Sequence, residues 1–197
     1  MDQNGIRQVV NQFTRKKELF YTSYSLNSFF TISDLYRLLI LIDKHYDYFL
    51  KDSFDVISDW HNIEHFEFND KQDYELLICP SLFYHEGIEL KKDPINDAFS
   101  ISINPDSNYL IFNIYADLYT DIRYGLDEKN QYYKIIQSHA AELNRKKLSN
   151  FLKELEVVLD GKISEYNTDN HLTKESIFKY GFRDNAALIE DDYKDEL

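Results

Sequence analysis

Two runs decide the fold class: "AFSISIN" (residues 98–104) and "YLIFNIYA" (109–116), joined by "PDSN" (105–108). In the first, Phe99, Ile101 and Ile103 alternate with Ser100, Ser102 and Asn104, the period of a half-buried strand. The second is apolar on both faces, as an interior strand is. Pro105 and Asp106 supply turn chemistry between them. Residues 97–116 therefore predict a β-hairpin.

Further strand patterns lie before it. "EHFEF" (64–68) sets Phe66 and Phe68 against Glu67, and "YELLICP" (74–80) and "EGIELKK" (86–92) are bounded by Pro80, Gly87 and Pro94. "YTSYSLNSFFT" (21–31) reads as a linker or a short strand. Helical spacing appears on either side. Ile6, Val9, Val10 and Phe13 predict an amphipathic helix over 5–19. A second is expected over 33–51, with Ser33 as N-cap and a stripe of Leu35, Leu38, Leu39, Ile42, Tyr46 and Phe49. Shorter helices are expected over 53–61 and 128–138. A long one over 140–160 carries Leu148, Phe151, Leu152, Leu155 and Leu159, with Gly161 as its C-cap. Thr173 is expected to cap a last short helix through Tyr180, closed by Gly181.

The order is helices, sheet, helices. It predicts an α+β fold: an antiparallel sheet of about four to five strands in the middle of the chain, packed by N-terminal and C-terminal helices. Residues 1–183 are expected to form one domain and 184–197 an acidic, flexible tail, so that clipping after Gly181 leaves folding intact. The last four residues, Lys194 to Leu197, match a lumenal retention signal. With no basic-then-apolar leader at Met1, they read as the end of that tail, and a cytoplasmic location is expected.

Charge narrows the function classes. Asp and Glu number 35 against 22 Lys and Arg, a formal net charge of -13. Such a field repels phosphate backbones and anionic lipid and speeds encounter with a basic protein. Direct nucleic-acid binding and membrane binding are therefore not expected. The single cysteine, Cys79, allows no intrachain disulfide and no thiolate-rich zinc site. The most apolar run, "LYRLLILI" (35–42), contains Arg37 and is far shorter than the ~20 residues a spanning helix needs.

Motifs for chemistry are sparse. "HNIEH" places His61 and His65 one helical turn apart with Glu64 beside them. It resembles the H-x-x-E-H signature of inverted zinc metallopeptidases, which implies two His ligands and a Glu that activates water, with Glu142 as a possible third ligand. The strand-like "HFEF" that follows would break the required helix, so a zinc hydrolase on these residues is the fallback reading. "HEG" at 85–87 lacks a second histidine, no glycine-rich phosphate loop occurs, and Cys79 sits in an apolar strand. No catalytic residue and no cofactor is expected.

Aromatic and acidic residues interleave in "HFEFNDKQDYE" (65–75) and "IYADLYTDIRY" (114–124). Tyrosine offers rigid contact area and carboxylates accept from Arg and Lys. The candidate partner-binding residues are therefore Glu64, Glu67, Asp70, Asp73, Glu75, Tyr115, Asp117, Tyr119 and Asp121. A small, acidic, cysteine-poor α+β chain resembles the immunity proteins of bacterial toxin systems, and "LSNFLKELEVVLDGKI" (148–163) is similar to their C-terminal helix. That resemblance implies stoichiometric neutralisation of a basic, nuclease-type toxin. A nucleic-acid mimic that occupies a host or defence protein's groove is the alternative binder.

Overall fold

The computed structural model describes residue 13 and residues 18–46, 48–51, 73–126, 129, 131–168 and 172–189. The expected helices over 5–19 and 53–61 and the strand at 64–68 lie outside these residues, apart from Phe13, Glu18 and Leu19.

The fold is α+β, built on a seven-stranded antiparallel sheet. The predicted hairpin is its centre: β5 (Phe99–Asn104) pairs with β6 (Tyr109–Ile114), Ile101 opposite Phe112. β3 (Tyr74–Glu86) lies beside β5 and carries both β2 (Tyr48–Lys51) and β4 (Glu89–Pro94). β1 (Phe20–Leu26) pairs with β6, and β9 (Gly161–Asn167) pairs with β1. The path across the sheet is β2-β3-β5-β6-β1-β9, with β4 on β3. Gly87, at φ 62, opens the two-residue turn between β3 and β4, where an L side chain would be strained.

Helix placement differs from expectation. α1 (Ile32–His45) follows β1, and α2 (Ser138–Val158) precedes β9, so helices do not bracket the sheet in sequence. The sheet draws its strands from near both ends of the described chain, because ladder bonds join strands by register and not by sequence distance. The pattern over 33–51 splits at Tyr46. Thr31, not Ser33, caps α1: its hydroxyl accepts from the Asp34 amide while the Asp34 carboxylate accepts from the Thr31 amide. Residues 48–51 then run as a strand.

Three more expectations are corrected. The segment 128–138 contains β8 (Tyr132–Ile136), which pairs with β7 (Ile122–Leu126) in a separate ribbon. Its aromatic and β-branched residues favour a pleated surface over a helix. Gly161 does not cap α2; Asp160 takes the left-handed conformation (φ 47) and Gly161 begins β9. A Cβ there would stand 2.9 Å from Leu26 Cδ2. The expected helix from Thr173 to Tyr180 is a 3-10 turn (Lys174–Ser176) followed by a small hairpin, β10 (Ile177–Phe178) and β11 (Gly181–Phe182).

One face of the sheet is the core. Phe99, Ile101, Ile103, Leu110, Phe112 and Ile114 are buried there. α2 lies on this face through Leu148, Phe151, Leu152 and Leu155, at helical spacing. Phe151 meets Phe112 at 5.3 Å and Tyr46 at 5.9 Å between ring centroids. Glu154 on α2 holds Lys44 and His45 at the end of α1. Those two bonds hold its carboxyl below the ordinary value. The chain continues past the expected tail boundary at Asp184 as packed structure: Ala186 and Leu188 are buried, and Ala187 bridges Ile122. Among the described residues, no helix is long and apolar enough to cross a membrane.

Candidate functional site

The opposite face of the sheet is polar, because residues that alternate with the core positions share it. The registers align them in rows. One row runs Glu75, Ser102, Ile111, Ser23, Glu165 across β3, β5, β6, β1 and β9. The next runs Leu77, Ser100, Asn113, Tyr21, Asn167. On the other side, Asn104, Tyr109, Ser25 and Lys162 align. Asp73 precedes β3 in step with Glu75. Glu75 and Glu165 stand four strand spacings apart, roughly 19 Å.

Short side chains make the floor and long ones the walls. Ser23 and Ser100 are buried, while Asp73, Glu75, Tyr109 and Glu165 are exposed. The floor is cross-linked: Asn113 Nδ2 donates to Ser100 Oγ at 3.0 Å, which lies 3.4 Å from the Tyr115 hydroxyl. Burial and the nearby Glu18 and Glu75 carboxylates push the Tyr115 hydroxyl above its ordinary value, against the opposing Ser100 contact. Tyr21 OH faces Glu165 Oε1 at 3.5 Å. A cleft of about 400 Å³ opens between β3, β5 and β6, lined by Asp73, Glu75, Ser102, Asn104, Tyr109 and Ile111. Among the described residues, its lining holds two carboxylates and no base. Such a cleft suits a cation: carboxylates take a guanidinium or ammonium, and an exposed tyrosine ring takes its face.

The sequence-predicted residues divide into three groups. Asp73, Glu75 and Tyr115 meet on this face. Asp117, Tyr119 and Asp121 do not; they are buried on the core side and unavailable to a partner. Tyr119 stacks on Phe182 at 5.3 Å. Asp121 pairs with Arg145 at 3.0 Å. The carbonyl of Asp117 accepts from Gln137 Nε2 and Thr120 Oγ1. The Asp117–Tyr119 segment is a 3-10 turn stitched to α2 by Asn144, whose Nδ2 donates to Leu118 O at 3.0 Å. Its tyrosine-and-acid composition therefore serves the interior. Glu64, Glu67, Asp70 and the fallback metal pair His61 and His65 lie outside the described residues.

Sequence reasoning missed Tyr109 and Glu165. Tyr109 opens β6 opposite Asn104, and only the register shows which side of the sheet it takes. Glu165 lies in β9, where the alternation of Ile163 with Ser164 is broken by a register shift between Ser23 and Tyr24. Glu142, the possible third metal ligand, is on α2, on the helical side of the sheet. His85 and His139 approach to 6.4 Å between ring centroids. Among the described residues there is no group of three or more His, Cys, Asp or Glu placed to hold a metal ion.

No family model matches this chain, and no curated protein or solved structure matches it.

Proposed function

We propose that this chain is a non-enzymatic binding protein that holds a basic protein partner stoichiometrically, acting as an immunity protein against a nuclease-type toxin. The observation that carries this reading is the serine-floored sheet face walled by Asp73, Glu75, Tyr109 and Glu165. Its cleft offers two carboxylates and an aromatic ring to an arginine or lysine side chain. The net charge of -13 adds long-range steering toward a basic surface. The basic active cleft of a nucleic-acid-cutting toxin presents the complementary chemistry, and an acidic plug blocks it without any reaction of its own.

The test compares the wild-type chain with D73K/E75K, both positions being exposed. The two are immobilised side by side, and proteins captured from the native cell are identified. The expected result is one basic protein held by the wild type and lost from the variant. Titration of that purified partner should saturate at one to one and suppress its nuclease activity. Equal retention on both chains removes this face from the reading. Capture of a neutral or acidic partner, or of a nucleic-acid-binding protein whose nuclease activity is unaffected, would favour mimicry or scaffolding over toxin neutralisation.

A further inference from the structure

A second cleft lies on the helical side of the sheet, between α2 and the β10–β11 hairpin. Its volume is about 370 Å³, within the range of small-ligand pockets. Its chemistry is opposite to that of the sheet face. Arg145, Lys146 and Arg183 surround it, in a chain with 13 more acids than bases.

Each cation is placed differently. Arg145 is only 8% exposed. Its Nη1 is occupied by Asp121 Oδ1 at 3.0 Å and Tyr119 O at 3.2 Å. Its Nε is buried without a hydrogen-bond partner. Its Nη2 faces Asp184 Oδ1 at 3.8 Å, a long pairing to a carboxylate that is 92% exposed. The buried guanidinium is thus held by one arm and undersatisfied at the other. Arg183 lies over the Phe178 ring at 5.6 Å, its Nε donating to Ile177 O at 3.2 Å. That holds the guanidinium of Arg183 beside the cleft it lines. Lys146 is exposed on α2, next to Arg145, and Ser149 lies one turn from each of them. Phe178 and Phe182 give the cleft an apolar wall.

We propose that this cleft binds a small phosphate ester carrying a planar or apolar group. The phosphate sits between Arg145 Nη2, Lys146 and the Arg183 fork, where charge-assisted bonds are strongest, and its organic part lies against Phe178. The ligand replaces Asp184, whose weak contact with Arg145 is the one it must displace. Glu142, one turn before Lys146, is the remaining acid among the described lining residues and tempers the affinity. This site stands on the other side of the sheet from the acidic cleft and does not depend on the partner proposed for that face.

The test is calorimetric titration of the full chain with phenyl phosphate, with inorganic phosphate as the comparison probe. Phenyl phosphate should bind one to one and about tenfold more tightly than inorganic phosphate, the worth of one aromatic contact. K146Q should weaken phenyl phosphate by about tenfold, as loss of one charge-assisted contact does. R183Q should weaken it at least as much. D184N should tighten it, because the competing carboxylate is gone; a merely structural role for Asp184 would not do this. Arg145 is left intact, since its pair with Asp121 holds the fold, and K146Q alone carries the test if R183Q fails to fold. No binding at millimolar phenyl phosphate overturns the proposal. So does equal affinity for the two probes, or wild-type affinity in a folded K146Q.

Discussion

At the scale of single residues, the buried polar groups around α2 hold most of the consequence. Arg145 and Asp121 are both buried and pair at 3.0 Å. Removing one partner strands the other charge in the interior, which costs ~3–5 kcal/mol, whereas the same loss at an exposed pair costs under ~1 kcal/mol. D121A is therefore expected to lose several kcal/mol of unfolding free energy in urea titration, and a loss below 1 kcal/mol would show that the pair is solvated. Gly161 gives a second residue-scale prediction. An added Cβ meets Leu26 Cδ2 at 2.9 Å and the Ser25 carbonyl at 3.0 Å, and the carbonyl belongs to a paired strand that cannot yield freely. G161A should destabilise by ~1–3 kcal/mol, read from the shift of the urea midpoint at constant slope. Neither consequence was readable from sequence. Asp121 carried the pattern of a contact surface, and Gly161 that of a helix cap.

Among the elements, the contact between α1 and α2 is tied by the Glu154 carboxylate on Lys44 and His45. Those bonds hold Glu154 below its ordinary value of 4.5. A carboxyl depressed in the folded state stabilises above the unfolded value, and that contribution is lost as pH falls through the folded value. E154Q should therefore be less stable than the wild type at pH 7, and the gap should begin to narrow below about pH 4 and shrink further in stronger acid. Thermal unfolding of both chains across that range reads it directly, and a gap that widens in acid would contradict the assignment. Glu156, two residues further along α2, acts similarly. Burial opposes its charge, but Lys179, the Ile163 amide and the Tyr180 hydroxyl outweigh it and keep the carboxyl low. It thereby joins α2, β9 and the β10–β11 hairpin.

Element identity was readable in proportion to how purely the pattern was local. β5 and β6 alternate cleanly and pair with their nearest neighbour, so their hairpin was evident. The leucine stripe of α2 was equally clear. The strand β8 reads as helix in the sequence because five residues of "YYKII" carry too little period to separate the two. β9 was hidden because it is an edge strand with few apolar residues, and its pairing with β1 joins residues more than 130 positions apart.

For the molecule as a whole, the segment after Gly181 is a structural closure. Phe182 stacks on Tyr119 at 5.3 Å and meets Phe20 at 5.5 Å, and Leu188 is buried beyond it. Truncation after Gly181 is therefore expected to destabilise the chain by several kcal/mol, more than the ~3–5 kcal/mol of a single buried phenylalanine. Circular dichroism of that truncation in urea checks this; an unchanged midpoint would return the segment to the status of a tail. This reverses the expectation from composition, which saw acids at Asp184 and Glu190 and could not see Phe182, Ala186 and Leu188 turned inward.

The sequence by itself determined that the chain is acidic, that its centre is antiparallel sheet, and that α2 buries one leucine-rich stripe. Each follows from composition or from a period that repeats within a few residues. Only the tertiary structure decided which acids face outward. Asp73 and Glu75 share the open face, while Asp117 and Asp121, in a run of the same composition, turn into the core. The physical reason is that a side chain's side of a sheet is set by register against strands far away in sequence, and register is a property of the pair, not of either strand.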